Sequence, residues 1–109
     1  MADNKDYMTR ELENGSVNIN EDVIVTIATA AIHDIEGVVN LKNDRKGVRV
    51  SFGEDSVDLE CGLTVLYGHS VVEIAKNVQN AVSSAVESMT GLKVGCVDVN
   101  VVGISMGKN

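Results

Sequence analysis

Along the first sixteen residues no hydrophobic period emerges. They are polar and charged, end at Gly15-Ser16, and read as a flexible leader, with order expected from Val17-Asn18-Ile19-Asn20 onward. Asn20 is placed to cap a helix, with Glu21 and Asp22 in the first turn against its positive end and Ile19 able to staple onto Ile24. Ile24, Ile27, Ala28, Ala31, Ile32 and Ile35 then recur at helical spacing, and Gly37 is the expected stop. The other faces of this helix, formed by Val23, Val25, Thr26, Thr29, Ala30 and His33, are less polar than a solvated helix requires.

Past the charged connection Lys42-Asn43-Asp44-Arg45-Lys46-Gly47 the period falls to two. Val48, Val50 and Phe52 alternate with Arg49 and Ser51 to predict a strand. A turn at Gly53-Glu54-Asp55-Ser56 leads to a second alternating run in which Val57, Leu59, Cys61, Leu63, Val65 and Tyr67 share a face, so the pair forms a hairpin. Ser70 with Glu73 makes a capping box for a second helix, whose inner stripe is Val71, Ile74, Ala75, Val78, Val82, Ala85, Val86 and Met89 and which ends before Gly91. The last run changes phase between Leu92-Val94-Cys96 and Val97-Val99-Val101, which predicts a bulge or bend near Gly95-Cys96-Val97. The expected fold is α+β, a two-layer sandwich in the order α-β-β-α-β, with one short three-stranded sheet and both helices on one face. Residues 1–16 are the leader, 17–105 a single domain and 106–109 a short tail.

Composition narrows the function. At 109 residues the chain suits one domain that buries roughly 65% of its unfolded surface. Hydrophobic residues make up 44% and aromatics 3%, so the core is expected to be aliphatic. A net charge of −7 opposes binding to phosphate backbones or anionic lipid. Neither a cationic, apolar leader nor a run of ~18 apolar residues occurs, so the expectation is a cytoplasmic chain with no direct membrane insertion.

Catalytic chemistry finds no constellation to rest on. No nucleophile stands beside a base, and His33 and His69 have no partner at ligand spacing; each reads as a surface or capping residue. Cys61 and Cys96 read as small hydrophobes packed in strands, with a redox role the lesser alternative. Asp58, Glu60, Asp98 and Asn100 are expected on one outward sheet face with Arg49; oxygens of this kind ligate hard cations, but a polar outer face neutralised across strands is the simpler account. No catalytic residue, cofactor or metal is therefore expected.

Several segments together resemble the bacterial alkaline-shock, or envelope-stress-response, family. They are Asn18-Ile19-Asn20-Glu21-Asp22-Val23-Ile24, Glu36-Gly37-Val38, Val65-Leu66-Tyr67-Gly68, Val78-Gln79, Met89-Thr90-Gly91-Leu92-Lys93-Val94 and Val97-Asp98-Val99-Asn100-Val101, spread from Val17 to Ile104. The resemblance implies a non-enzymatic scaffold or adaptor in cell-envelope homeostasis and stress. It also implies a cytoplasmic protein held near the membrane by a membrane-embedded anchoring partner, with some members forming homo-oligomers. The residues themselves offer the outer stripe of the first helix, Val25, Thr26, Thr29, Ala30 and His33, as the candidate interaction surface. Strands or loops that wrap this helix within one subunit are the alternative. A second functional reading, an RNA-binding α/β module suggested by element order, is opposed by the charge, the scarcity of aromatics and the lack of a GxxG clamp; no nucleic-acid partner is expected.

Overall fold

The computed structural model describes residues 7–41 and 47–106. In chain order its elements are β1 (Tyr7–Leu12), β2 (Gly15–Asn20), α1 (Glu21–His33), β3 (Val38–Leu41), β4 (Val48–Phe52), β5 (Ser56–Leu66), α2 (Val71–Thr90) and β6 (Lys93–Ser105). The fold is α+β, as the alternation of periods predicts. The charged connection at 42–46, positions 1–6 of the expected leader and the tail at 107–109 lie outside the described residues.

β5 is the centre of a four-stranded sheet. Along one edge β4 pairs antiparallel with Val57–Cys61 and β3 with Leu63–Val65, so the two short strands lie end to end. Along the other edge β6 runs parallel to β5 from Ser56↔Lys93 to Leu66↔Ser105. Parallel neighbours need a long crossover, and α2 supplies it. Odd-numbered residues of β5 from Val57 to Val65 are buried, while Asp58 and Glu60 between them are exposed, so the helices cover one face and leave the other open.

The core is aliphatic, as the low aromatic content requires. Ile24 and Ile32 of α1, Val78, Val82 and Val86 of α2, and Val57, Leu59, Cys61, Leu63 and Val65 of β5 are the largest fully buried side chains. Each such Val or Leu contributes about 1.5–3 kcal/mol relative to exposure. Both helix starts are those expected: Asn20 accepts from the Asp22 N–H at 2.8 Å, and the Ser70 hydroxyl accepts from the Glu73 N–H at 3.2 Å. α2 ends on Gly91 at φ +77°, a left-handed cap in which glycine avoids the Cβ penalty.

The register shift between Val57 and Asp58 falls at Gly95, within the predicted slip. Asp58 explains why a glycine stands there, since a Cβ on Gly95 would collide with its carboxylate. With that space open, the carboxylate accepts the Cys96 N–H at 3.1 Å. A second shift, between Leu63 and Thr64, skips Val102 and was not expected.

Several expectations are corrected. The sheet has four strands rather than three: β3 carries Val-Val-Asn-Leu, too short and too uniform to show a period of two. The leader is not structureless through Ser16, because Tyr7–Leu12 and Gly15–Asn20 form a separate antiparallel hairpin. Its outer face is polar, with the Thr9 hydroxyl donating to Asn18 at 2.7 Å, and on its inner face Arg10 and Gly15 interrupt the apolar Met8, Leu12, Val17 and Ile19, which conceals the alternation. α1 ends at His33 with Asp34 as its cap, before Ile35 and Gly37, because a tight turn closes first through the Ile35 N–H to the Ile32 carbonyl at 3.0 Å. Met89 is 71% exposed, since the inward row 74, 78, 82, 86 continues to Thr90 rather than Met89.

Leu63→Ala, at the centre of the sheet, should lower stability by about 2–5 kcal/mol. Val102→Ala, at an exposed bulge of β6, should lower it by no more than about 0.5 kcal/mol. Urea unfolding of the two variants checks the assignment, and similar losses from both would contradict it.

Candidate interaction surface

The first-helix stripe divides in the structure. Val25 is buried at 5% exposure and belongs to the core, a correction to its expected outward position. α1 packs against β2, β3, β4 and α2, so neighbours enclose more of its circumference than a single inner stripe needs. Thr26, Ala30 and His33 are exposed, and Thr29 is half-buried. With Val23, 43% exposed, Thr26, Ala30 and His33 follow helical steps of three, four and three residues, so they make one shallow uncovered line along α1. The buried Thr29 Oγ1 has no hydrogen-bond partner among the described residues, so it bears the desolvation cost of a hydroxyl in full.

At the N-terminal end of that line lies a groove that sequence periodicity did not show. The register of β1 and β2 puts Met8 opposite Ile19, Arg10 opposite Val17 and Leu12 opposite Gly15, on one face of the hairpin. Met8 and Ile19 are buried at 8% and 7%, but Val17 and Leu12 further along the same face are 41% and 54% exposed. The hairpin is thus anchored at its base and overhangs at its tip. Beneath the overhang a groove of about 470 Å³ is lined chiefly by Leu12, Val17, Val23, Ile27 and Met89, with Arg10 as its one ionisable liner among the described residues. The Arg10 guanidinium lies beside Gly91, within 3.2–3.4 Å of where a Cβ would stand, so its charge rests at the negative end of α2.

The opposite face of the sheet is polar. A shallow recess of about 320 Å³ includes Arg49, Ser51, Asp58, Glu60, Cys96 and Asp98. Register sets Arg49 beside Glu60 and Glu60 beside Asp98, and Asn100 donates to Glu60 at 3.0 Å. This is the shared face read from the sequence. Among the described residues no three His, Cys, Asp or Glu side chains converge closely enough to hold a metal ion.

The two cysteines differ. Cys61 is fully buried as expected, and burial, followed by the Glu60 and Asp98 carboxylates, pushes its thiol up to about 11 from the ordinary 9.0. Cys96 was expected in the core but is exposed, because the bulge at Gly95 turns it to the polar face. Shielding at the sheet surface, then the carboxylates of Asp58 and Asp98, hold its thiol above the ordinary value. Tyr67, expected to share the face of Val57 to Val65, lies beyond the end of β5 and is 65% exposed.

α2 is tied to the free side of β6 by two side chains. Gln79 donates to the Val97 carbonyl at 3.0 Å, and Glu87 accepts the Val94 N–H at 2.9 Å. Both occupy backbone groups near the start of a strand that has no second strand partner among the described residues. Among those residues no helix is long and apolar enough to cross a membrane.

Comparison with known proteins agrees with this architecture. The model of the alkaline-shock protein 23 family, described by a cell envelope-related function, matches residues 9–106. The Bacillus subtilis protein YqhY is 27% identical over 104 residues, covering 83% of this chain and 77% of its own length. YloU of the same organism is 27% identical over 106 residues, covering 83% and 88%. The Streptococcus pyogenes protein Spy1614 is 27% identical over 114 residues, covering 89% and 94%. Among solved structures, a MamM-CTD variant aligns with a TM-score of 0.55 at 14% identity over 77% of this chain and 98% of that one, a likeness of fold.

Because the Cys61 thiol ionises more readily unfolded than folded, the native state keeps this advantage below pH 9 and loses it as pH rises toward about 11. Urea midpoints measured across that range should fall more steeply for the wild type than for Cys61→Val. Parallel slopes would refute the buried-thiol assignment.

Proposed function

The chain belongs to the alkaline-shock protein 23 family, and from that membership we propose that it is a non-enzymatic scaffold or adaptor in bacterial cell-envelope homeostasis and stress response. It works through surface contact, by self-association and by docking to a membrane-embedded partner that holds it at the cytoplasmic face of the membrane. The observation that carries this reading is the exposed apolar groove at the start of α1, with the uncovered line Val23, Thr26, Ala30 and His33 running on from it. Contiguous apolar surface left exposed on a small domain marks a contact site, because isolated exposure is ordinary and continuous exposure is not.

The partner surface is assigned to Thr26, Thr29, Ala30 and His33, where the small side chains of Thr26, Thr29 and Ala30 let another helix approach closely. Val25 supports them from beneath. A membrane partner is favoured over direct lipid contact by the net charge of −7, which is repelled by an anionic leaflet.

Cell fractionation provides the test. Wild-type protein should sediment with membranes in its native cell. Ala30→Glu should move it to the supernatant with unchanged circular dichroism, and a photo-crosslinker at Thr26 should capture an integral membrane protein. Wild-type protein found wholly in the supernatant would remove the docking half of the proposal.

A further inference from the structure

We propose that the groove beneath the β1–β2 hairpin is the self-association site, and that its occupant is the hairpin tip of a second copy. The two hairpins clasp each other about a two-fold axis. This deepens the self-association part of the reading above and rests on it.

The groove and the ridge that would fill it belong to one patch. Leu12 and Val17 form the overhanging underside of the tip, and Val23, Ile27 and Met89 form the floor they face. Leu12, Val17, Val23 and Met89 are between 41% and 71% exposed, and all four line the one groove. A two-fold contact requires a patch that is complementary to itself, presenting a projection beside the depression that receives it. An overhanging tip next to its own groove meets that requirement.

Charge selects the same occupant. Among the described residues Arg10 is the one ionisable side chain lining the groove, in a chain with net charge −7. The tip reads Glu11-Leu12-Glu13-Asn14-Gly15, an apolar residue between two exposed carboxylates. When the tip of one copy seats Leu12 on the apolar floor of the other, its Glu13 approaches the other's Arg10, and the symmetry repeats the pair. A purely apolar occupant would cover the guanidinium with only the partial charge of the α2 end to oppose it, which is costly. A basic one would be repelled.

Analytical ultracentrifugation of the full chain over about 1 to 200 µM covers the range in which weak and moderate self-association is read. The wild type should sediment as a dimer or larger. Leu12→Glu and Met89→Glu should weaken association at least about tenfold, as expected for groups at the centre of a contact. Arg10→Glu and Glu13→Arg should each weaken it, and Arg10→Glu/Glu13→Arg in one chain should recover most of the loss. That recovery cannot come from mere destabilisation, so the charge swap stays informative even if an apolar variant misfolds. Ala30→Glu, on the partner surface, should leave the mass unchanged. A wild type that associates while every groove and tip variant keeps its mass would overturn the clasp and leave self-association standing. A wild type monomeric throughout would remove both.

Discussion

Five alternate side chains of β5, Val57, Leu59, Cys61, Leu63 and Val65, form the surface on which both helices close. They are buried because a strand presents every second residue to one face, and because β4 and β3 on one side and β6 on the other keep that strand central along its whole length. With so few aromatic residues, no single large ring fills the interior. Close packing of branched aliphatics has to fill it, and such packing tolerates little displacement. The rigidity of this layer fixes where α1 and α2 end, and those ends frame the groove.

The remaining edge of the sheet is managed rather than left open. Gln79 and Glu87 of α2 occupy a carbonyl and an N–H of β6, and bulges at Gly95 and Val102 break the regular ladder on either side of Val97–Val101. A strand treated this way is a poor template for adding another strand. This favours the groove and the α1 line over the β6 edge as the proposed contact surfaces.

Much of this was legible in the sequence where one local signal decided the outcome. The Asn20 and Ser70 caps, the glycine end of α2, the β4–β5 hairpin and the slip at Gly95 each follow from a few neighbouring residues. The chain concealed what depends on long-range placement. β3 has four residues and no alternation, and in β1–β2 the short apolar face is interrupted by Arg10 and Gly15. Val25 was assigned outward because helical periodicity supposes one buried stripe, whereas α1 is enclosed from several directions. Cys96 was assigned inward because the bulge that reverses its phase was expected without the exact residue being fixed. The groove could not be read at all, since it exists only once a hairpin overhangs the ends of two helices.

The central claim is that the overhanging hairpin is an unfinished surface completed by contact with another molecule. Hydrogen exchange followed by mass spectrometry at low and high protein concentration addresses it most directly, because it reads each segment separately. Amides of the hairpin tip, the first turns of α1 and the last turn of α2 should gain protection as concentration rises, while those of β5 and the middle of α2 stay equally slow at both. Exchange in the tip that is fast and identical at every concentration would contradict the account.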